Sequence, residues 1–267
     1  MTALKEFKEG EPILLRDDSD GVATLTLNRP QQYNALSEAM LDALQQAFDA
    51  IATDATVRVV VLRAEGKAFC AGHDLKEMRQ NPSQKYYEKL FASCGRMMIS
   101  MQRIPQPVIA RVHGIATAAG CQMVANADLA VASAEAKFAT SGIGVGLFCM
   151  TPGVALSRNL SRKRAFEMLF TGEFISAETA LDWGLVNHVV APDELDHTVA
   201  ELAGKINAKS RAAIAAGKRV FYRQLAMDMD QAYEYAAREM ACNMMFQDAG
   251  EGIDAFIEKR KPVWRDK

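Results

Sequence analysis

Cysteine is sparse and unpaired in this chain: Cys70, Cys94, Cys121, Cys149 and Cys242 are scattered without CxxC spacing. An odd number without pairs fits neither a disulfide framework nor a zinc site, and predicts a reducing compartment and no bound metal. A dominant charge is also missing. The 31 basic and 33 acidic residues leave a formal net charge of −2, which excludes the diffuse positive footprint of non-specific nucleic-acid or membrane-surface binding. No apolar run reaches about eighteen residues, so no membrane span is predicted. The opening stretch MTALKEFKEGEPILL carries early glutamates and has neither an uninterrupted apolar segment nor an Arg/Ser-rich amphipathic presequence. That predicts a cytoplasmic protein.

What the chain does have is enough apolar residue to build a large core: 49% of 267 residues are hydrophobic. Residues 12–28 predict two strands around a DDSDG turn, with a β-branched alternating run at 22–27. After Asn28-Arg29-Pro30, Ser37 opens a helix whose apolar residues Met40, Leu41, Leu44, Phe48 and Ile51 share one face. VRVVVLRAEG at 57–66 is apolar almost throughout, as a strand buried on both faces requires. A helix over 83–103, a strand over 107–112, a helix near 119–126 and a strand over 128–133 continue the alternation, which predicts an α/β fold. From about Glu194 the pattern is helical throughout. A boundary is placed near residue 205, giving a core of residues 1–204 and a helical region of residues 205–267. No internal sequence repeat is evident.

Two segments keep their backbone accessible. AFCAGHDLKEM (68–78) follows a buried strand with small residues, and HGIATAAGCQM (113–123) runs from a strand through small residues into a helix. Small side chains let a ligand reach main-chain N–H groups, and a helix N-terminus offers unpaired donors and a positive dipole to developing negative charge.

Taken in order, LNRPQQYNAL (27–36), AFCAGHDLKEM, HGIATAAGCQM, TGEFISAETALDWGLVNHVV (171–190) and FIEKRKPVW (256–264) resemble the crotonase (enoyl-CoA hydratase/isomerase) superfamily over nearly the whole chain. The resemblance implies a spiral core of ββα units, a C-terminal helical trimerisation region, a homotrimer or dimer of trimers, and an acyl-CoA substrate. Coenzyme A is then part of the substrate and no separate cofactor is implied. It also implies that the backbone amides of His73 and Ala119 form an oxyanion hole. Two preorganised donors stabilise a thioester enolate by roughly 3–4 kcal/mol each.

The chain departs from the family pattern where hydratases carry two water-activating glutamates. Gln122 and Gly142 stand at those positions, and neither can take up a proton near neutral pH. Phe69, Ala71, Asp74, Lys76, Cys149 and Lys259 are candidate substrate-binding residues. Thr140 and Ser141 read as loop hydrogen-bonders, Glu173 as a turn residue before the cap Ser176, and Gln31 replaces a lysine common in the family. Lys259, Arg260 and Lys261 fit CoA phosphates or a solvated tail equally well.

The leading reading is an acyl-CoA enzyme of hydratase/isomerase descent that stabilises a thioester enolate but hydrates weakly. Decarboxylation of a 2-carboxyacyl-CoA is the alternative chemistry, since loss of CO₂ creates the enolate without a base. A non-catalytic acyl-CoA-binding protein is the alternative of another class.

Overall fold

The computed structural model describes residues 10–267; the first part of the N-terminal stretch read for targeting signals lies outside them. The expected hairpin is present as β1 (Leu14–Ser19) and β2 (Val22–Leu27), joined by Asp20 and Gly21 at φ 50° and 79°. Helix α1 (Glu38–Thr53) begins where Ser37 accepts the Met40 amide, and it buries Met40, Leu41, Leu44, Phe48 and Ile51. Then come β3 (Val59–Ala64), β4 (Ala68–Cys70), α2 (Leu75–Gln80) and α3 (Gln84–Arg103). They are followed by β5 (Val108–Val112), β6 (Ile115–Thr117), α4 (Ala119–Asn126), β7 (Leu129–Ser133) and β8 (Lys137–Ala139). After a 3-10 turn at Ser141–Val145 the chain continues through α5 (Met150–Asn159), α6 (Arg162–Thr171), β9 (Ile175–Ser176), α7 (Ala177–Trp183) and β10 (His188–Val190). Four helices close the fold: α8 (Leu195–Asn207), α9 (Arg211–Gln224), α10 (Met229–Met244) and α11 (Gln247–Ile257).

The strands divide between two sheets in a regular way. The larger has the order β1-β2-β3-β5-β7-β10, the smaller β4-β6-β8-β9. Each of the pairs β3/β4, β5/β6 and β7/β8 thus sends its first strand to the large sheet and its second to the small one before a helix follows. That is a ββα unit used three times, a structural repeat with no counterpart in residue identities. The central strands are apolar on both faces because both are covered. Val60, Leu62, Val108 and Ala110 face the core that contains α1 and α3. Val59, Val61, Ile109 and Val131 pack against Leu195, Val199 and Ala203 of α8.

Helix α8 runs unbroken through the boundary placed at 204/205, and its buried face belongs to the large sheet. The chain leaves the sheet only after α8, before Ser210 caps α9. Helix α9 is fastened to the core by Lys218, whose side chain is buried, and by Tyr222, whose hydroxyl donates to Asp128 at 2.7 Å. Lys218 Nζ donates to the carbonyls of Met101 and Gln106, each at 2.8 Å, and to Asp128 at 2.6 Å. The end of the chain folds back as well: the buried carboxylate of Asp248 accepts from the Ser210 hydroxyl and the amides of Arg265 and Asp266. Among the described residues, no helix is long and apolar enough to cross a membrane.

Candidate active site

The end of β4 leads into Gly72 and His73, and the loop after β2 holds this turn from behind. Leu36 donates its amide to the Gly72 carbonyl at 2.7 Å and accepts the Asp74 amide at 3.1 Å. Because Leu36 pairs with the residues on either side of His73, the His73 amide itself points the other way. Among the described residues it has no hydrogen-bond partner. Gly72 is required here: φ is +92°, and a methyl on its Cα would lie 2.9 Å from Ala118 Cβ and 3.3 Å from the Ala119 nitrogen.

Those contacts bring in the second turn. Ala118 ends the connection from β6 with φ 50° and ψ −119°, a combination natural to glycine, and supplies no side-chain cap to α4. Strain of this kind costs about 1–3 kcal/mol and persists where surrounding structure enforces it. Here the Ala118 amide is held by the Ala139 carbonyl at 3.0 Å. Gly120 is packed so closely that an added Cβ would lie 2.1 Å from the Cys70 carbonyl oxygen. The Ala119 amide, in the first turn of α4, has no partner among the described residues. The structure therefore sets two small-residue turns side by side, each with an unpaired amide.

The side chains around these amides are uncharged or already engaged. Gln122 is 5% exposed and its buried Oε1 has no partner among the described residues. The His73 imidazole packs edge-on to Phe91 at 5.3 Å, with neither ring nitrogen in a hydrogen bond among the described residues. Burial lowers its pKa to about 4, only partly offset by the nearby Leu36 backbone, so the ring is neutral at pH 7. Gly142 has no room for a side chain: a Cβ there would lie 2.7 Å from the Leu147 carbonyl oxygen and 2.8 Å from Cys149 Sγ. Burial raises the Cys149 pKa, partly offset by the Gly142 amide, which leaves a neutral thiol. Cys70, Cys94 and Cys121 are buried too, and burial pushes each up to about 12.

Several sequence candidates are buried or hydrogen-bonded within the fold. Phe69 is fully buried in the main core, so its side chain does not line an open site. The Ala71 amide is taken by the Tyr33 carbonyl at 3.0 Å. Asp74 caps α2 through the amides of Lys76 and Glu77 and pairs with Arg29 at 3.0 Å. Thr140 Oγ1 donates to the Met168 carbonyl, and Ser141 shares a 2.7 Å hydrogen bond with Thr117. Ser176 caps α7 as expected, with Glu173 exposed in the turn before it. Lys76 is exposed on α2, and Lys259 is exposed beyond α11 at φ 56°. Arg260 is tied to Glu251 and Glu258, each at 2.6 Å, which separates it from its two neighbours in the KRK run. Phe91 and the strained Ala118 carry no signal in the sequence, and Arg29 is marked only by the NRP segment.

Paired main-chain donors at a turn and a helix N-terminus, on a double-sheet ββα scaffold, define a protein suited to polarising a carbonyl oxygen. The family model for enoyl-CoA hydratase/isomerase matches residues 17–267. The chain belongs to the enoyl-CoA hydratase/isomerase family, the crotonase superfamily. It is 46% identical over 257 residues to the Mus musculus protein named "Enoyl-CoA hydratase domain-containing protein 3, mitochondrial", covering 96% of this chain and 86% of that one. It is 33% identical over 246 residues to a short-chain-enoyl-CoA hydratase of Clostridium acetobutylicum, covering 90% and 92%. Among solved structures, an enoyl-CoA hydratase of Mycobacterium smegmatis superposes with a TM-score of 0.94 at 65% identity, covering 95% of this chain and 99% of that one. The human enoyl-CoA hydratase domain-containing protein 3 gives 0.92 at 45% identity, covering 95% and 100%. These neighbours establish the crotonase fold. The cytoplasmic location expected from the N-terminal stretch is overturned by the names of the mouse, frog, rat and human relatives, which place those proteins in mitochondria.

Proposed function

We propose that this chain is an enzyme that binds acyl-CoA thioesters and stabilises the enolate oxygen with the amides of His73 and Ala119, while lacking the acid–base pair for ordinary hydration. The observation that carries this reading is the pair of amides without a partner among the described residues, next to Gln122 and Gly142 at the two positions where hydration needs carboxylates. Gln122 holds a water or substrate polar group by hydrogen bonds but cannot accept a proton from it, and Gly142 presents only backbone. Each missing acid–base group costs about 10²–10⁴ in rate, so hydration of crotonyl-CoA is slow. Coenzyme A enters as part of the substrate, with Lys76 and Lys259 available to its phosphates.

The same site favours decarboxylation of a 2-carboxyacyl-CoA as the second reading. Cleavage of the bond from C2 to the carboxylate releases CO₂ and places its electron pair in the thioester enolate, which then takes a proton from water at C2. Such a step needs the two amides and no protein base, which suits neutral Gln122, His73 and Cys149. A recognition protein without turnover is the remaining alternative.

The helical region after α8 acts as the oligomerisation surface, in a homotrimer or dimer of trimers. Its support is the apolar surface left on these helices: Phe221, Leu225, Met229, Tyr233, Met245 and Phe256 are each more than half exposed. Light scattering on a sizing column then gives a trimer or hexamer mass, and a monomer at all concentrations contradicts it. Turnover of an acyl-CoA panel separates the chemical readings. The outcome predicted is weak crotonyl-CoA hydration; release of CO₂ from malonyl-type thioesters selects the second reading. Hydration at the rate of an efficient enzyme refutes the base-free site.

A further inference from the structure

We infer that Arg29 is a positioning residue for the His73 amide donor, acting through Asp74; the inference rests on the acyl-CoA reading above. The Arg29 guanidinium spans the two chain segments that hold the Gly72–His73 turn. One nitrogen donates to the Ala35 carbonyl at 2.7 Å, and the other donates to Asp74 Oδ2 at 3.0 Å. Ala35 is the residue before Leu36, and Asp74 is the residue after His73. The clamp therefore closes on both sides of the Leu36–His73 bridge that turns the His73 amide outward.

The arrangement has more parts than an ordinary surface ion pair. The two side chains are only 18% and 15% exposed. Burial opposes the charge on Asp74, but the Arg29 hydrogen bond and the Glu77 and Lys76 amides outweigh it and hold the carboxyl below the usual range. Arg29 is itself fixed at its root: its amide donates to Asn34 Oδ1 at 2.8 Å, and Asn34 Nδ2 donates to the carbonyls of Glu65 and Ala68, each at 2.8 Å. The last of these reaches the first residue of β4, the strand that delivers the turn. Between Arg29 and Leu36 the chain is folded tightly, with Tyr33 and Asn34 both left-handed at φ 50° and 55°. Release of the guanidinium frees Leu36 and Asp74 to shift. Hydrogen bonds weaken steeply as the donor angle degrades, so a small rotation of the His73 amide reduces its hold on an oxyanion.

The experiment is infrared difference spectroscopy of carbonyl-labelled crotonyl-CoA bound to wild type, Arg29→Ala, Arg29→Lys and Asp74→Asn, with thermal unfolding of each. Wild type lowers the thioester carbonyl stretch. Arg29→Ala loses about half of that lowering or more while still binding crotonyl-CoA, because one of the two donors is misaimed. Arg29→Lys restores part of it, since an ammonium reaches Asp74 but does not span to Ala35. Asparagine still caps a helix, so Asp74→Asn keeps α2 and loses the ion pair; it reports the clamp even if Arg29→Ala fails to fold. A wild-type carbonyl shift in the folded variants overturns the inference. Absence of any shift in wild type overturns the enolate-stabilising reading itself, and this inference falls with it.

Discussion

A side chain at residue 142 should overpack the loop that follows β8. The resemblance to two-glutamate hydratases implies a carboxylate at this position, so restoring it by Gly142→Glu looks like a route to hydration. The structure argues otherwise. The first atom of any side chain meets Leu147 O at 2.7 Å and Cys149 Sγ at 2.8 Å, where ordinary contact begins near 3.4 Å. Neither neighbour moves freely: the Leu147 amide donates to the Gly142 carbonyl at 2.9 Å, and Cys149 is buried at the start of α5. Overpacking of this kind costs about 1–3 kcal/mol. The cleanest test is Gly142→Ala, which adds the offending atom alone, and at roughly 2–4 °C per kcal/mol it should lower the melting temperature by several degrees. Cys149→Ala combined with Gly142→Ala removes one of the two clashes and should recover only part of the loss, because the Leu147 carbonyl remains. Gln122→Glu with Gly142→Glu should accordingly give little hydration. If Gly142→Ala melts with wild type, the loop is not packed as described and the second catalytic position is open after all.

Two further outcomes follow from the other turn and from the buried histidine. Ala118→Gly removes about 1–3 kcal/mol of strain at the cost of about 0.5–1 kcal/mol of added chain entropy, so calorimetry should show a higher melting temperature; a lower one contradicts the strain assignment. Burial moves the His73 pKa from its ordinary 6.5 to about 4, so the unfolded chain binds the proton more readily than the fold. The stability of the neutral ring is fully present above pH 6.5 and is lost as pH falls toward 4, by about 3 kcal/mol. Denaturant titrations of His73→Phe between these pH values should show a shallower decline than wild type, and an equal decline refutes the assignment.

Much of this architecture was legible because single residues announce it. Ser37 and the spacing of Met40, Leu41, Leu44, Phe48 and Ile51 fix α1 unambiguously, and the continuous apolar runs of β3 and β5 reflect burial on both faces. Helix α2 was not legible, since it has six residues and exposes Leu75. The repeated ββα unit was hidden for a related reason: β4, β6 and β8 have three residues each, too few to show a period. At the site, the small-residue turns could be read from glycine and alanine. The Arg29–Asp74 clamp could not, because its partners lie 45 residues apart. Nor does an alanine disclose that it adopts glycine's backbone angles, or a glycine that its neighbours have filled the space of a side chain.

The central claim is that the folded chain recognises acyl-CoA thioesters, and calorimetric titration with acetyl-CoA and longer acyl-CoAs tests it most directly. Saturable binding that requires the thioester is expected, with free coenzyme A bound more weakly because it has no thioester carbonyl for the His73 and Ala119 amides. No measurable binding of any acyl-CoA by folded protein would contradict it.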